Sequence, residues 1–381
     1  MRFIGRTQSQ PNSPIGALAH LLERVPASKP LLDLSQGAPG FPPAPAVVAR
    51  IAEVSAEPDG ARYTPLFGLP DLRDAMAADL GSMYGGDIAA SEVCITAGCN
   101  QAYCVVVSAL AEHGDDVILT VPYYFNHDMW LGLDGIEARY LEASHGIMPS
   151  VDEAAKLIGA RTRALVLVSP GNPTGLILPP SLLSEFADLA AERNIVLIID
   201  ETYRSFVPGG RPPHELFARS DWRDHIVSLH SFSKDLAIPG HRVGAIVASP
   251  ALLNEAAKLL DCVSICAPRI GQEAALAGLR DATDWRQEKI DEIGARRERF
   301  EQVMSARPGG FELISAGAYY GWVRHPFDDS SEEVATRLLL EQGVLVLPGS
   351  AFAPTDPKCV RFSFANADID RLDELNERLD F

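Results

Sequence analysis

The sequence predicts an α/β fold: a three-layer sandwich with a mostly parallel sheet between two layers of helices, followed by a smaller α+β domain. Two observations support this prediction. From about residue 46 to 270, helical patterns alternate with short apolar runs, as in parallel sheets whose strands are connected by helices. Beyond about residue 270 this alternation ends. A chain of 381 residues is also long enough to form two domains.

The chain divides into three predicted segments. Residues 1–45 are rich in Pro and Gly and form an N-terminal arm and part of the small domain, with a short helix near residues 15–24. Residues 46–270 form the large domain. Residues 271–381 form the C-terminal small domain, which begins with one long helix over about 271–306. The predicted strands are 93–95, 116–120, 164–169, 195–200, 226–229 and 243–247 in the large domain, and 311–314, 319–323, 344–347 and 360–364 in the small domain.

The composition excludes several classes of protein. With 47% hydrophobic and 22% charged residues, the chain has the composition of a folded globular protein. A formal net charge of -18 argues against nucleic acid as a partner, because binding phosphates requires a basic surface. No run of about 18 apolar residues is present, so we expect no membrane span. The six cysteines form no C-x-x-C pair, which predicts reduced thiols, no metal site and a cytoplasmic location.

Lys234 is the most informative residue of the sequence. It follows the apolar run 226–229 in a segment Ser231-x-Ser233-Lys234, and Arg242 lies eight residues further on. Most lysines are solvated surface charges, but a lysine at the end of a buried strand is placed to have a lowered pKa and to act as a nucleophile. Two hydroxyl groups and an arginine suit a phosphate. Together these residues suggest a lysine that forms a Schiff base with a phosphorylated aldehyde cofactor.

Other polar side chains follow neighbouring predicted strands. Asp200 ends the apolar run 195–199, where it could cap the next helix or pair with a cationic ring nitrogen. Tyr203, three residues later, could reach the same ligand. Asn172 lies in a turn-rich segment after another strand, where it either serves only the turn or offers its amide to a bound ring. Each of these signals is weak when taken alone.

Two further strand ends could contact a cofactor. Gly98, Cys99 and Asn100 follow a strand and open a helix, and small residues there expose backbone N–H groups to an anion. A helix start without a ligand explains the same residues. Tyr124 follows the strand 116–120 and Pro122. Its ring could belong to the core or could stack on a planar cofactor.

The order and spacing of these segments closely resemble those of the fold-type I pyridoxal-phosphate-dependent aminotransferases of class I/II, the aspartate aminotransferase-like family. The matching motifs are Gly98-Cys99-Asn100, Pro122-Tyr123-Tyr124, Asn172-Pro173-Thr174-Gly175, Asp200-x-x-Tyr203, Ser231-x-Ser233-Lys234 and Arg242. The resemblance covers nearly the whole chain, from Asp33 to Phe364. It implies a large cofactor domain, a small domain, and pyridoxal 5'-phosphate that passes through its pyridoxamine 5'-phosphate form.

The resemblance also implies catalytic roles. Lys234 would form the Schiff base and later shuttle the proton, while Asp200 would pair with the pyridinium nitrogen. Tyr203 and Asn172 would hydrogen-bond the phenolate oxygen of the ring. Tyr124 would stack on the ring.

Cofactor phosphate and substrate would be held by further residues that match the family. By this resemblance, the phosphate would lie against Gly98, Cys99, Asn100, Ser231, Ser233 and Arg242. Tyr63 matches a tyrosine that reaches the phosphate of the neighbouring subunit, which implies a homodimer with shared active sites. Arg361 would bind the substrate α-carboxylate, helped by Asn172, and Gly37 matches a loop that closes over the substrate.

The activity implied is ping-pong transfer of an amino group between an L-amino acid and a 2-oxo acid. Dicarboxylate-specific relatives carry a second arginine where this chain has no basic residue from 259 to 268 and has Asp261 nearby. Arg269 could substitute only in a different local register. We therefore expect an enzyme that is not strictly dicarboxylate-specific.

Two alternatives remain open from the sequence. A pyridoxal-phosphate C–S β-lyase or decarboxylase of the same fold shares the lysine and its neighbours. A non-catalytic regulator with an aminotransferase-like ligand domain is a different class, but such proteins normally carry a DNA-binding module, which the short arm and acidic charge disfavour.

Overall fold

The computed structural model describes residues 3–17, 19–25, 28–143, 146–210 and 213–380. Its helices are α1 (Gly5–Gln8), α2 (Pro14–Ala17), α3 (Pro45–Ala56), α4 (Pro70–Tyr84), α5 (Cys99–Leu110), α6 (Phe125–Asp134), α7 (Val151–Leu157), α8 (Pro180–Arg193), α9 (Trp222–His225), α10 (Pro250–Val263), α11 (Arg269–Asp281), α12 (Thr283–Ser305), α13 (Ser331–Gln342) and α14 (Leu375–Arg378). Its strands are β1 (Leu32–Asp33), β2 (Val93–Thr96), β3 (Asp116–Thr120), β4 (Glu137–Leu141), β5 (Thr162–Val168), β6 (Val196–Asp200), β7 (Ile226–Ser231), β8 (Gly244–Val247), β9 (Glu312–Gly317), β10 (Tyr320–Arg324), β11 (Val344–Leu345), β12 (Leu347–Pro348) and β13 (Cys359–Ser363). Among these residues, no helix is long and apolar enough to cross a membrane.

The central sheet has the strand order β2-β8-β7-β6-β5-β3-β4. Strands β3 to β7 pair in parallel, whereas β8 runs antiparallel to both of its neighbours, β7 and β2. The predicted α/β class with a mostly parallel sheet is confirmed. Parallel strands bring their carboxyl ends to one edge of the sheet, and this edge carries the residues that follow β5, β6 and β7.

Helices cover both faces of this sheet, because successive strand residues point to opposite sides. Ile199 belongs to a core on one face that also contains residues of α3, α4, α8 and α11. Its neighbour Ile198 belongs to the core on the other face, with residues of α5, α6 and α10. Burial on both faces explains why the central strands are nearly continuous apolar runs.

A second, antiparallel sheet forms the C-terminal part of the fold, in the order β12-β13-β10-β9. Phe300 of α12, Leu338 of α13 and Phe362 of β13 belong to its core. The arm joins this part through β1, which pairs in parallel with β11, and through Leu34, which is fully buried in the same core. The domain limits at residues 45 and 270 stay a prediction.

The predicted elements differ from the structure in several places. The long helix expected over 271–306 is interrupted at Ala282, because α11 packs on α3 and α4 while α12 packs on the small sheet. The helix expected near residues 15–24 is α2 followed by a 3₁₀ helix, Ala19–Arg24. The strand expected over 344–347 is two short strands, β11 and β12. Edge strand β4 was not predicted, because it is only partly buried and contains charged residues.

Candidate active site

A cavity of about 280 Å³ lies between the carboxyl edge of the central sheet and the small sheet. Its lining residues are Ile15, Gln36, Gly37, Cys99, Asn100, Tyr124, Phe125, Val168, Asn172, Asp200, Thr202, Tyr203, Ser231, Ser233, Lys234, Pro239, Arg242, Tyr320 and Arg361. The predicted site residues therefore converge on one cavity, with two exceptions. Gly98 lies directly behind the lining, against Arg242. Tyr63 is not in the lining, and its side chain is 74% exposed.

Lys234 lines the cavity, in the turn that follows β7. Its ammonium group donates a hydrogen bond to the backbone carbonyl of Gly37. Burial, together with the positive charges of Arg361 and Arg242, lowers the pKa of Lys234 from 10.5 to about 8, although Asp200 opposes this shift. A lysine with such a pKa has a substantial unprotonated fraction near neutral pH, so its amine can act as a nucleophile.

Asp200 ends β6 and is buried beside Lys234. One carboxylate oxygen accepts a hydrogen bond from the backbone N–H of Thr202 at 3.0 Å, and the Cys99 thiol lies 3.6 Å from it. The other oxygen is 3.3 Å from Nε2 of His127. Burial alone would raise the pKa of Asp200, but the interactions with His127 and Thr202 outweigh it and hold this pKa below its usual value. Asp200 is therefore an anion that can face a cationic ligand atom.

His127 is a site residue that the sequence did not reveal. It lies on the first turn of α6, three residues after Tyr124, and is buried. Its ring stacks on Tyr103 at 4.0 Å between centroids and meets the edge of Tyr124 at 5.2 Å. The helical spacing from Tyr124 was the available signal, but it required knowing where the helix begins.

Arg361 lies on β13 and is buried on the opposite side of the cavity from the central sheet. Its guanidinium donates to the Asn172 side-chain oxygen at 2.8 Å and to the backbone carbonyl of Ser35. The Nε atom is buried without a hydrogen-bond partner. Within the described ranges, no carboxylate forms an ion pair with Arg361. A buried cation without a counter-charge is unfavourable, so this geometry suits an anionic ligand.

A second anion-binding arrangement lies at the other end of the cavity. The amino end of α5 begins at Cys99, after Gly98, whose φ of 93° favours glycine. A Cβ atom at position 98 would lie 2.2 Å from Nη2 of Arg242, so only glycine lets this guanidinium approach the helix end. Ser231 and Ser233 add hydroxyl groups to the lining. Backbone N–H groups, hydroxyls and a guanidinium are the donors that a phosphate group requires.

Aromatic side chains form much of the remaining wall. Tyr124 lines the cavity, whereas Tyr123 lies in the core and stacks on Tyr140. Tyr203 is buried, and its hydroxyl oxygen is 2.5 Å from that of Tyr320. Tyr320 was not predicted from the sequence, because nothing in its local pattern distinguishes it from a core residue of β10.

The chain is similar to known proteins over nearly its full length. The family model described as aminotransferase class I and II matches residues 29–379. An aspartate aminotransferase of Thermotoga maritima is 30% identical over 352 residues, covering 92% of this chain and 90% of that protein. An aromatic-amino-acid aminotransferase of Thermococcus litoralis is 27% identical over 383 residues, covering 96% and 97%. The structure of Thermus thermophilus aspartate aminotransferase with maleate superposes with a TM-score of 0.90 at 27% identity, covering 100% of this chain and 99% of that one.

Proposed function

Because the chain belongs to the class I and II aminotransferases, we propose that it moves an amino group between an L-amino acid and a 2-oxo acid, with pyridoxal 5'-phosphate bound at Lys234. One observation carries this proposal. A lysine with a lowered pKa lies between two arginines, Arg242 and Arg361, that have no carboxylate partner among the described residues. Such a site can accept one anionic group on each side of the amine.

The residues around the cavity fit this cofactor. Its phosphate suits the amino end of α5, Ser231, Ser233 and Arg242, where Gly98 leaves room for the guanidinium. Its ring nitrogen suits the ionised Asp200. When bound, pyridoxal 5'-phosphate supplies an electron sink that stabilises negative charge at the substrate α-carbon.

The remaining ring contacts are proposed for three residues of the lining. The Tyr203 hydroxyl and the Asn172 amide would bond the phenolic oxygen of the ring, and Tyr124 would cover one face. Asn172 also accepts from Arg361 through its side-chain oxygen, which leaves its NH₂ group free to donate into the cavity.

Lys234 and Arg361 would have different roles toward the substrate, proton transfer and binding. Arg361 would hold the α-carboxylate with its planar guanidinium and thereby fix the orientation of the α-carbon. The Lys234 amine would remove the α-proton at Nζ and return it to a different carbon, as a general base followed by a general acid. Gly37, whose carbonyl accepts from Lys234, would close the cavity against water.

The charged side chains of the lining bear on which substrate side chains the cavity can bind. Lys234, Arg242 and Arg361 are the cationic side chains that line the described cavity, and each has a role in the proposal above. Arg269 lies outside the lining and is 3.8 Å from Glu273. Because the described lining offers no further cation, we propose that the enzyme is not restricted to dicarboxylic amino acids.

We also propose a homodimer with shared active sites. Tyr63, Val263 and Ile265 are exposed apolar or aromatic side chains, with exposures of 74%, 68% and 42%. Burial against a second copy would remove these surfaces from water, and Tyr63 could then reach the partner's phosphate. Sedimentation equilibrium would give twice the 41.1 kDa chain mass for this assembly, and the monomer mass would contradict it.

The test of the reaction is a half-reaction without an acceptor. We expect single amino acids to bleach the absorbance of the lysine-linked cofactor and to release one equivalent of 2-oxo acid per site. Addition of a second 2-oxo acid should restore the absorbance. Continuous release of ammonia and pyruvate without an acceptor would instead identify a C–S β-lyase, and carbon dioxide release would identify a decarboxylase.

A further inference from the structure

We propose that Tyr320 is a positioning residue whose hydroxyl orients Tyr203 and whose ring supports Arg361. This inference rests on the proposed function, because it assigns a role within the same site. Tyr320 is buried, with an exposure of 2%, and it touches the residues proposed for both the cofactor side and the carboxylate side of the cavity.

The register of the small sheet places the Tyr320 ring under Arg361. Tyr320 is paired with Ser363, and Trp322 is paired with Arg361, so Tyr320 and Arg361 are diagonal neighbours on the same face. The Cζ atom of Arg361 lies 4.5 Å from the centroid of the Tyr320 ring. This cation–π contact supports the guanidinium without neutralising it, which leaves its charge available for a carboxylate.

The Tyr320 hydroxyl has a separate partner. Its oxygen is 2.5 Å from the hydroxyl oxygen of Tyr203, and the two rings meet edge to face at 5.4 Å. Each hydroxyl carries a single proton, so when Tyr320 donates to Tyr203 the Tyr203 proton is free to point at another acceptor. In that arrangement, Tyr320 directs the Tyr203 proton toward another acceptor.

The same hydroxyl explains why position 37 is a glycine. A Cβ atom at Gly37 would lie 1.8 Å from the Tyr320 hydroxyl oxygen. The carbonyl of Gly37 accepts from Lys234, so the space taken by Tyr320 also fixes the backbone that contacts the lysine. Tyr203, Arg361 and Gly37 therefore converge on one side chain.

Two substitutions separate the two parts of Tyr320. Tyr320→Phe keeps the ring and removes the hydroxyl, whereas Tyr320→Leu removes both. We expect Tyr320→Phe to lower kcat about tenfold, the effect of one lost hydrogen bond, with KM for the amino donor within about twofold of wild type. We expect Tyr320→Leu to raise that KM by about tenfold in addition, since Arg361 loses the nearer of two rings that contact its guanidinium, the other being Phe352 at 5.0 Å. Tyr140→Phe, which removes a hydrogen bond to Asp128 away from the cavity, is the matched control.

A spectroscopic titration gives a readout that a purely structural role would not change. The holoenzyme absorbance reports ionisation of the lysine-linked cofactor, and we expect its midpoint to shift in Tyr320→Phe and Tyr320→Leu but not in Tyr140→Phe. The titrating group faces charged or titratable side chains from several elements: Cys99, Tyr124, Asp200, Tyr203, Arg242, Tyr320 and Arg361. Equal midpoints in wild type and Tyr320→Phe would overturn the role of the hydroxyl.

The role of the ring has its own decisive result. Equal KM values in Tyr320→Phe and Tyr320→Leu would overturn it, and Tyr320→Met repeats this comparison at similar volume if the leucine variant does not fold. If the wild-type protein carries the absorbance but releases no 2-oxo acid, only the proposed amino transfer is contradicted. The titration would still decide the role of the Tyr320 hydroxyl.

Discussion

Two pairs of consecutive residues at the carboxyl edge of the sheet have opposite surroundings. Asp200 and Lys234 line the cavity, whereas the next residues, Glu201 and Asp235, do not. Glu201 is buried and accepts hydrogen bonds from Tyr84 and Ser228, with His214 at 3.1 Å. Asp200, Glu201 and Asp235 are all buried, so burial alone does not decide which of these residues line the cavity.

Asp235, like Glu201, has polar partners within the chain. Asp235 is 3.3 Å from Arg286 of α12, and its carboxylate accepts from the Ser205 hydroxyl at 3.3 Å. Arg286 also contacts Asp79, which pairs with Arg204 at 2.6 Å. Charges on this side are matched by other charges of the chain.

The contrast between Lys234 and Glu201 lies in their partners, whereas Asp200 lines the cavity although it also has a partner, His127. Glu201 has a pKa lowered to about 2, because His214, His230 and Ser228 outweigh the opposing effect of burial. Lys234 has no carboxylate within salt-bridge distance in the described residues, and its pKa is lowered toward neutrality instead. The first kind of charge contributes to the stability of the fold, and the second kind is available for a ligand.

Replacement of Lys234 should have the largest effect on activity. We expect Lys234→Ala to reduce turnover by about 10⁴-fold or more, because it removes the nucleophile and the proton carrier together. The absorbance of the lysine-linked cofactor should also disappear. Lys258→Ala, at an exposed lysine paired with Glu255 at 2.6 Å, is the control and should keep full activity. Turnover by Lys234→Ala within tenfold of wild type would refute the assignment.

Replacement of Glu201 should instead reduce stability. We expect Glu201→Ala to lower the free energy of unfolding by about 3 to 5 kcal/mol, because it leaves a buried hydrogen-bond network without its acceptor. Glu201→Gln should lose less, since the amide retains the volume and one acceptor oxygen. Urea unfolding of the cofactor-free protein measures both, with Glu255→Ala at the surface as the control. A loss below about 0.5 kcal/mol would show that this network does not matter.

A change of pH should have a smaller effect than either replacement, and it tests the lowered pKa of Lys234 directly. The folded-state pKa of about 8 lies below the value of 10.5, so the folded protein releases this proton first as the pH rises. The unfavourable contribution of Lys234 to stability is therefore fully present below pH 8 and is lost between pH 8 and 10.5. Capture of pyridoxal 5'-phosphate by the cofactor-free protein should accelerate up to about pH 8 and then level off.

Removal of a neighbouring charge should change the pH at which the rate of cofactor capture is half-maximal, which is the midpoint of this titration. Arg361→Gln removes a positive charge beside Lys234, and we expect the midpoint of cofactor capture to rise by up to about one pH unit. Arg280→Gln, at an exposed arginine outside this cavity, should leave the midpoint unchanged. A midpoint near 10.5 in the wild type would contradict the lowered pKa.

The sequence predicted the strands that are buried, because their burial is visible in a local run of apolar residues. Strand β3 was predicted with its observed bounds, because buried strands of a parallel sheet are continuous apolar runs. Edge strand β4 contains Glu137 and Arg139 and shows no such run. The break at Ala282 could not be predicted, since alanine favours helices and the change of direction arises because α11 packs on α3 and α4 while α12 packs on the small sheet.

In the candidate site, too, residues with a local sequence signal were predicted and residues whose contacts depend on packing were not. Asp200, Asn172 and Lys234 could be predicted to lie together, because strand order and parallel pairing bring their strand ends to one edge. His127 and Tyr320 could not, because their contacts depend on the start of α6 and on the register between β10 and β13. The roles assigned to the predicted residues stay predictions until they are measured.

The pairing of β1 with β11 has a consequence for synthesis of the chain. Leu32 is made more than 300 residues before its partner Val344. Arg361 follows later still. The amine of Lys234 therefore exists in every nascent chain well before the guanidinium that would select its substrate. The cavity is therefore complete only once β13 has been made, and a chain terminated before Arg361 would carry Lys234 without the guanidinium proposed to bind its substrate.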